Sequence, residues 1–263
     1  MHARLSGPFT FVGVVHLLPL PAGPRVSPGF AAVRARAWED VEALVRGGVD
    51  GAILENLGDA PFSAGPVDPH VVAFLADLAG ELVRTWPELA VGINLLRNDA
   101  HGALGVAAAV GAAFVRVNVH VGSMWTDQGL IHGEAHRSLR YRQELGADVA
   151  IAADVLVKHA VPPAEMDVAR VAADTSRRGG AEVLIVTGEG TGHEADPARL
   201  DAVRRAVPET PVWVGSGVSF ANARAWRERA SGAIVGTALH RDGALAAPLE
   251  RERVERMRDL LRA

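Results

Sequence analysis

The chain has 263 residues, 49% of them hydrophobic and 22% charged, with a formal net charge of −4. That length suits one large domain or two small ones, with apolar residues enough for a sizeable core. A sequence pI of about 6.2 excludes the basic face that a nucleic-acid-binding protein needs, and the lack of cysteine excludes disulfides, iron–sulfur clusters, thiolate zinc sites and a catalytic thiol.

Residues 1–9 lack the continuous apolar stretch of a secretion signal, and the apolar run 9–20 ends at Pro19-Leu20-Pro21 with no basic segment before it. No stretch approaches the roughly 18–20 apolar residues of a membrane span, so a cytoplasmic chain is expected. Short apolar runs then recur at 10–17, 51–55, 90–95, 114–119, 149–157, 183–187, 212–215 and 233–236. They are continuous rather than alternating, as strands buried on both faces of a parallel sheet must be. Helical patterns lie between and after them, at 31–46, 69–85, 100–110, 134–145, 163–178, 197–206, 220–229 and 249–261. Several close on glycine, as at Gly47-Gly48, Gly111 and Gly179-Gly180. Eight strand–helix alternations with short links predict a single α/β domain over residues 1–263, a (β/α)8 TIM barrel. An open doubly wound sheet fits less well, because the first strand runs into His16-Leu17-Leu18-Pro19 rather than into a glycine-rich turn. Arg224, Arg227 and Arg229 read as a solvated helix face, and no nucleic-acid partner is expected.

In such barrels the strand C-terminal ends and the loops after them carry the chemistry. Polar residues cluster there: His16 after the first strand; Glu55, Asn56 and Asp59 after the second; Asn94, Arg97, Asn98 and Asp99 after the third. Arg116, Asn118 and His120 follow on the fourth strand, Asp154, Lys158 and His159 on the fifth, Thr187 on the sixth and Thr237 on the eighth. Buried polar groups are expensive without partners, so this many of them imply a lined pocket. Two readings stay open for Arg116 and Asn118, which share a side-chain direction: contact with a ligand, or a buried network with Glu55 or Asp154. Four residues of straight strand span about 13 Å, which places Asp154 deep and Lys158 at the rim. His16 is either a ligand-facing group or a satisfied core histidine. For Lys158, clamping an anion demands less than a Schiff base or general-base role.

Glycines mark the loops where such barrels hold phosphate on backbone N–H groups. Strand seven runs into Gly215-Ser216-Gly217, strand eight into Gly236-Thr237, and strand six into a stretch from Thr187 to Gly192 that includes Gly188 and Gly190. Either the glycines make tight turns or they admit an oxyanion; three consecutive loops favour the oxyanion. The long connection 121–133 is a lid or a subunit contact, the latter making a homo-oligomer. No HExxH, P-loop or His/Cys cluster of metal type occurs. No cofactor is firmly implied, although Glu55, Asp59, Asp99 and Asp154 leave open a Mg²⁺ shared with a phosphorylated ligand.

Read in order, the segments at 13–21 (around His16), 55–62 (from Glu55), 92–99 (around Asn94 and Arg97), 114–119, 126–129, 153–160, 184–188, 215–218 and 234–237 resemble the BtpA/SgcQ family over nearly the whole chain. The chain departs from similar proteins at His240, where they often carry Lys, and at Ser63-Ala64-Gly65. The resemblance implies a barrel. It also implies functions of different classes: a membrane-peripheral factor for photosystem I biogenesis, or a relative of sugar-operon proteins labelled as nucleoside triphosphatases, for which this chain lacks a P-loop. It supplies no catalytic residues. From the residues themselves, the favoured reading is an enzyme acting on a phosphorylated sugar or related metabolite by isomerase, epimerase, aldolase or lyase-type proton chemistry. Glu55 and Asp154 are candidate bases, Asn94, Asn118, Arg116 and Lys158 orient or stabilise an oxyanion, and phosphate sits on Gly188, Gly215, Ser216, Gly217, Gly236 and Thr237.

Overall fold

The computed structural model describes Leu5, residues 7–188, Gly190 and residues 192–263. Most of the amino terminus read for a secretion signal (residues 1–4 and Ser6) lies outside the described residues, as do Glu189 and Thr191 of the glycine-rich stretch. Eight parallel strands close into a barrel: β1 (Thr10–His16), β2 (Gly51–Glu55), β3 (Ala90–Asn94), β4 (Phe114–Val117), β7 (Ala150–Val155), β9 (Val183–Val186), β10 (Val212–Val214) and β11 (Gly232–Val235). Around them run α1 (Phe30–Gly47), α2 (Pro69–Thr85), α3 (Ala100–Val110), α4 (Ala135–Glu144), α5 (Val168–Ala173), α6 (Pro197–Ala206), α7 (Ala223–Arg229) and α8 (Arg251–Arg262). Three further strands, β5 (Ser123–Thr126), β6 (Gly129–His132) and β8 (Ala160–Val161), form a small antiparallel sheet.

The period-2 alternation of the strands decides what the barrel encloses. Val12, Val14, Ile53, Phe114, Ala152, Ile185, Trp213 and Ile234 make one interior cluster, while Phe11, Val15, Leu54, Ile93, Val115 and Val214 pack outward against the helices. The two largest interior rings meet edge to face, Phe114 and Trp213 with centroids 6.0 Å apart. Glycine opposite each makes the room: a Cβ on Gly92 would lie 2.3 Å from Phe114 Cζ, and one on Gly232 2.7 Å from Trp213 Cδ1.

Several predicted segments are shorter than their patterns. Strand β4 stops at Val117 and β7 at Val155, where the chain turns through Leu156 in the left-handed region (φ 54°). The straight strand assumed between Asp154 and Lys158 therefore does not exist. The helix expected at 163–178 begins at Val168, capped by the Asp167 carboxylate accepting from the Ala169 N–H at 2.9 Å, and finishes as a π-helical turn over Asp174–Arg178. The connection 121–133 is a β-hairpin, not an irregular loop. Its strand β5 also pairs with β8, Trp125 opposite Val161 and Thr126 opposite Ala160, so it is stitched to the segment that carries Lys158. Val119, Met124, Ile131 and Val157 form a small buried cluster that includes one residue from each hairpin strand.

Candidate functional site

The inward parity that fills the interior continues to the top of the barrel. His16, Glu55 and Asn94 are register partners across β1, β2 and β3, one step above the Val14 and Ile53 that pack the interior. Arg116 and Asp154 follow on β4 and β7, and Gly215 and Gly236 directly after β10 and β11. All of the named side chains are buried to below a tenth of their surface, His16 being the most open at 9%.

Arg116 organises the charges. Its Nε and Nη2 donate to the two Asp154 carboxylate oxygens at 3.3 and 3.1 Å, and its Nη1 lies 3.8 Å from Glu55. Burial by itself disfavours the cation, but the two carboxylates outweigh it and raise the guanidinium pKa above its ordinary value. Asn118 donates to Asp154 at 2.9 Å, and Asn94 donates to the Asn118 side-chain oxygen at 3.0 Å and to the Arg116 carbonyl. Asp154, Asn118 and Asn94 thus form the support beneath Arg116 and do not line the mouth cavity. Glu55 differs: among the described residues its nearest cationic contact is Arg116 Nη1 at 3.8 Å, and its Oε1 lies 3.9 Å from His16 Nε2. Of the two carboxylates only Glu55 faces that cavity.

The cavity, about 270 Å³, is bounded on one side by His16, Glu55, Arg116 and Lys158 and on the other by Gly215–Gly217 and Gly236–Ala238 with Ser219, Phe220 and Arg253. Burial lowers the Lys158 pKa, with repulsion from Arg116 adding to it and Glu55 and Asp154 opposing. Its main chain is held on both sides: the amide donates to Thr187 Oγ1 at 3.0 Å, and Arg97 donates to its carbonyl at 2.7 Å. His159 follows with φ 55°, a second non-glycine residue in the left-handed region of this loop.

The glycine-rich loops are knitted to one another more tightly than an open turn requires. The Gly188 amide donates to Ser216 Oγ at 2.6 Å, Ser216 Oγ donates to the His193 carbonyl at 3.0 Å, and the Gly215 amide donates to Val186. Gly217 has φ +66°, and a Cβ there would lie 2.3 Å from Glu194 Cα. The segment 193–194 therefore demands glycine at 188 and 217 for backbone packing. Gly188 does not line the cavity, so of the six positions assigned to phosphate it is the one displaced, its amide already committed.

Sequence reasoning missed Arg253. It comes from the first turn of α8, not from a strand end, and its Nε donates to the Ala238 carbonyl at 2.9 Å while its guanidinium lies 5.1 Å from the Phe220 ring centroid. No periodicity or strand-end rule marks it. Other polar strand-end residues serve the loops. Asn56 and Asn98 clamp the backbones of Leu96 and Val119, Asp59 accepts from the Leu20 amide at 2.8 Å, Asp99 caps α3, and His120 bonds the Gly179 carbonyl at 2.7 Å. The four carboxylates named for Mg²⁺ therefore do not converge, and among the described residues no three His, Asp or Glu side chains are placed to hold a metal ion.

No described helix is long and apolar enough to cross a membrane. Among solved structures, KGPDC from Streptococcus mutans superposes with a TM-score of 0.61 at 8% identity, covering 97% of this chain and 98% of that one. N-(5'-phosphoribosyl)anthranilate isomerase from Pyrococcus furiosus gives 0.58 at 12% identity, over 96% and 98%. Both likenesses show the barrel fold alone. Photosystem I biogenesis protein BtpA of Synechocystis sp. is 46% identical over 243 residues, which cover 92% of this chain and 84% of that protein. The BtpA family matches residues 9–263, and the chain belongs to that family.

Proposed function

We propose that this protein is an enzyme that binds a small phosphorylated metabolite across the barrel mouth and moves a proton at carbon beside a carbonyl. One observation carries the reading: a single cavity joins a backbone cradle with an arginine at one end to a carboxylate, a guanidinium and an ammonium at the other. Phosphate is assigned to the amides of 216–218 and 236–238 and to Arg253, which offers the fork geometry an oxyanion prefers. At the other end Glu55 is the base. It takes the proton from carbon, the C–H pair forms the C=C bond, and the carbonyl becomes an enolate whose charge Arg116 and Lys158 stabilise. Where the deprotonated carbon bears a hydroxyl, passage of that O–H proton to the enolate oxygen and return of the carbon proton to the former carbonyl carbon give an isomerisation. Asp154 acts by holding Arg116, not as a second base.

The test is a thermal-shift and titration series with inorganic phosphate, ribose 5-phosphate, ATP and GTP, each with and without Mg²⁺. Arg253→Ala is the informative variant, since any side chain at Gly217 would break backbone packing. Ligand at 100 times its dissociation constant stabilises by about 2.7 kcal/mol, and that shift should be lost in Arg253→Ala. Stabilisation by ATP or GTP alone would favour a nucleotide hydrolase, and no stabilisation by any phosphate compound would end the reading. A second reading, an assembly factor, is favoured by the name of the 46% identical relative and by the cross-strand pair Trp125 and Val161, which stand 53% and 66% exposed.

A further inference from the structure

We infer that His240 fixes His16 in the tautomer whose unprotonated Nε2 faces the cavity, so that His16 and Glu55 together receive a hydroxyl group of the ligand. The inference rests on the phosphorylated-metabolite reading for the ligand's class, and on bond geometry about a buried, neutral His240 for the tautomer.

His240 is fully buried, and its Nδ1 lies 2.7 Å from the Ala247 carbonyl oxygen. A carbonyl only accepts, so this nitrogen carries the proton. In a neutral ring the other nitrogen, Nε2, must then accept, and it lies 3.1 Å from His16 Nδ1. The ring planes are within 18° of each other and the centroids are 5.4 Å apart, well beyond the 3.1 Å between the nitrogens, so the rings meet edge to edge as an N–H···N bond has them. His16 Nδ1 is thus the donor, and its Nε2 is left with a lone pair. Burial keeps His240 neutral, with the Ala247 bond and Asp40 opposing and Arg36 adding to the effect. Burial does the same to His16 more strongly, aided by His240, Lys158 and Arg116, and lowers its pKa to about 3. The groups facing the His16 ring from the surrounding elements are therefore Glu55 on β2, Arg116 on β4, Lys158 after β7 and His240 after β11.

The Nε2 edge of His16 is kept clear by Gly236, where a Cβ would lie 3.2 Å from Nε2 and 2.6 Å from Cε1. Across from it, Glu55 Oε1 stands at 3.9 Å. Two acceptors at that separation cannot bond each other, and both repel a carbonyl or phosphate oxygen. A hydroxyl, or a vicinal pair of hydroxyls, satisfies them. The cavity thus offers donors and a cation for phosphate at the Gly217 and Arg253 end, and at the other end, beside the Arg116 and Lys158 cations, a pair of acceptors that only a hydroxyl satisfies. That arrangement selects a hydroxylated sugar phosphate over a deoxy one. His240 does not line the cavity, so it is a positioning residue.

Two variants separate positioning from mere packing. His240→Gln keeps a donor for the Ala247 carbonyl and an acceptor for His16, whereas His240→Leu keeps neither. In ¹⁵N-histidine-labelled protein, two-bond ¹H–¹⁵N spectra should show His16 as the neutral Nδ1–H tautomer from mildly acidic to mildly basic pH. His240→Gln should retain that tautomer and His240→Leu should lose it. An imidazolium or an Nε2–H tautomer in the wild type would overturn the inference, as would an unchanged tautomer in His240→Leu. The binding arm uses ribose 5-phosphate and inorganic phosphate as probes. His240→Leu should weaken ribose 5-phosphate about tenfold, the size of one hydrogen bond, and leave inorganic phosphate unchanged, with recovery in His240→Gln. Equal weakening of both probes, or wild-type binding of inorganic phosphate without ribose 5-phosphate, would refute the hydroxyl cradle. If wild type ignores inorganic phosphate, the phosphate reading fails by itself while the tautomer result stands.

Discussion

Arg116 is the residue whose loss should be felt most sharply, and the magnitude follows from what it leaves behind. Its side chain is 2% exposed, and the Asp154 and Glu55 side chains beside it are 0% and 5% exposed. In Arg116→Met the volume stays similar, but two carboxylates are left buried without their cation. Breaking a buried ion pair from one side costs about 3–5 kcal/mol, far above the roughly 0–1 kcal/mol of a surface pair. For a chain of this length each kcal/mol lowers Tm by about 2–4 °C, so a fall on the order of 10 °C is expected. Urea unfolding followed by both fluorescence and far-UV circular dichroism measures it, provided the slope is unchanged between variants. The decisive comparison is the double variant Arg116→Met/Asp154→Leu, which removes one of the stranded charges. Residues in one network are not additive, so the double variant should be more stable than Arg116→Met alone. A single variant that loses under 1 kcal/mol, or a double variant less stable than either parent, would show that this triad does not hold the barrel top as its geometry implies.

Acid should destabilise the protein through His16. Its folded pKa of about 3 lies below the ordinary 6.5, so the unfolded chain binds the extra proton as pH falls through that window; stability is complete above 6.5 and declines toward 3, by up to about 1.4 kcal/mol per pH unit. His16→Gln should flatten this acid limb of the stability profile, and an unaltered slope would contradict the assignment. At Gly217, alanine meets both a positive φ and the Glu194 backbone; a loss of more than about 1 kcal/mol is expected, and a neutral substitution, by chemical denaturation, would reopen that glycine as a ligand-only feature. Thr126→Pro removes ladder bonds from the central strand of the small sheet. Hydrogen exchange should then speed up at 156–161 with the barrel strands unaffected, and equal protection in both proteins would uncouple the hairpin from the Lys158 loop.

The fold was open to reading from sequence because a barrel strand is buried on both faces, and that leaves continuous runs such as 150–155 and 183–186 that few other environments permit. The same parity carries upward: once Val12 and Val14 face the interior, His16 must, and the argument repeats for Glu55, Arg116 and Asp154. Parity alone does not say how far each side chain reaches. Asp154 and Glu55 look equivalent as strand-end acids, but the Arg116 fork closes on Asp154 and only approaches Glu55, a difference set by the two-residue stagger of β4 against β7. Strand-end reasoning also has no way to find Arg253, which arrives from a helix, or the pairing of Trp125 with Val161 across 36 residues of chain.

The glycines show where a motif reading goes astray in physical terms. A glycine after a barrel strand is equally well explained by an approaching oxyanion or by an approaching backbone, and the sequence is identical in the two cases. Here the segment 193–194 claims Gly188 and Gly217, and Ile185 meets the position a Cβ on Gly215 would take at 2.4 Å. At Gly236 the glycine instead clears one edge of a histidine that faces the cavity. The proposed phosphate site therefore depends less on the glycines than on Arg253 and the amides of 216–218 and 237–238, whereas His16, Glu55 and the space left by Gly236 set what the other end of the ligand must carry. Those two ends belong to one cavity, so a ligand that satisfies only one of them should bind weakly, and one that carries a phosphate and a free hydroxyl at the right separation should bind well.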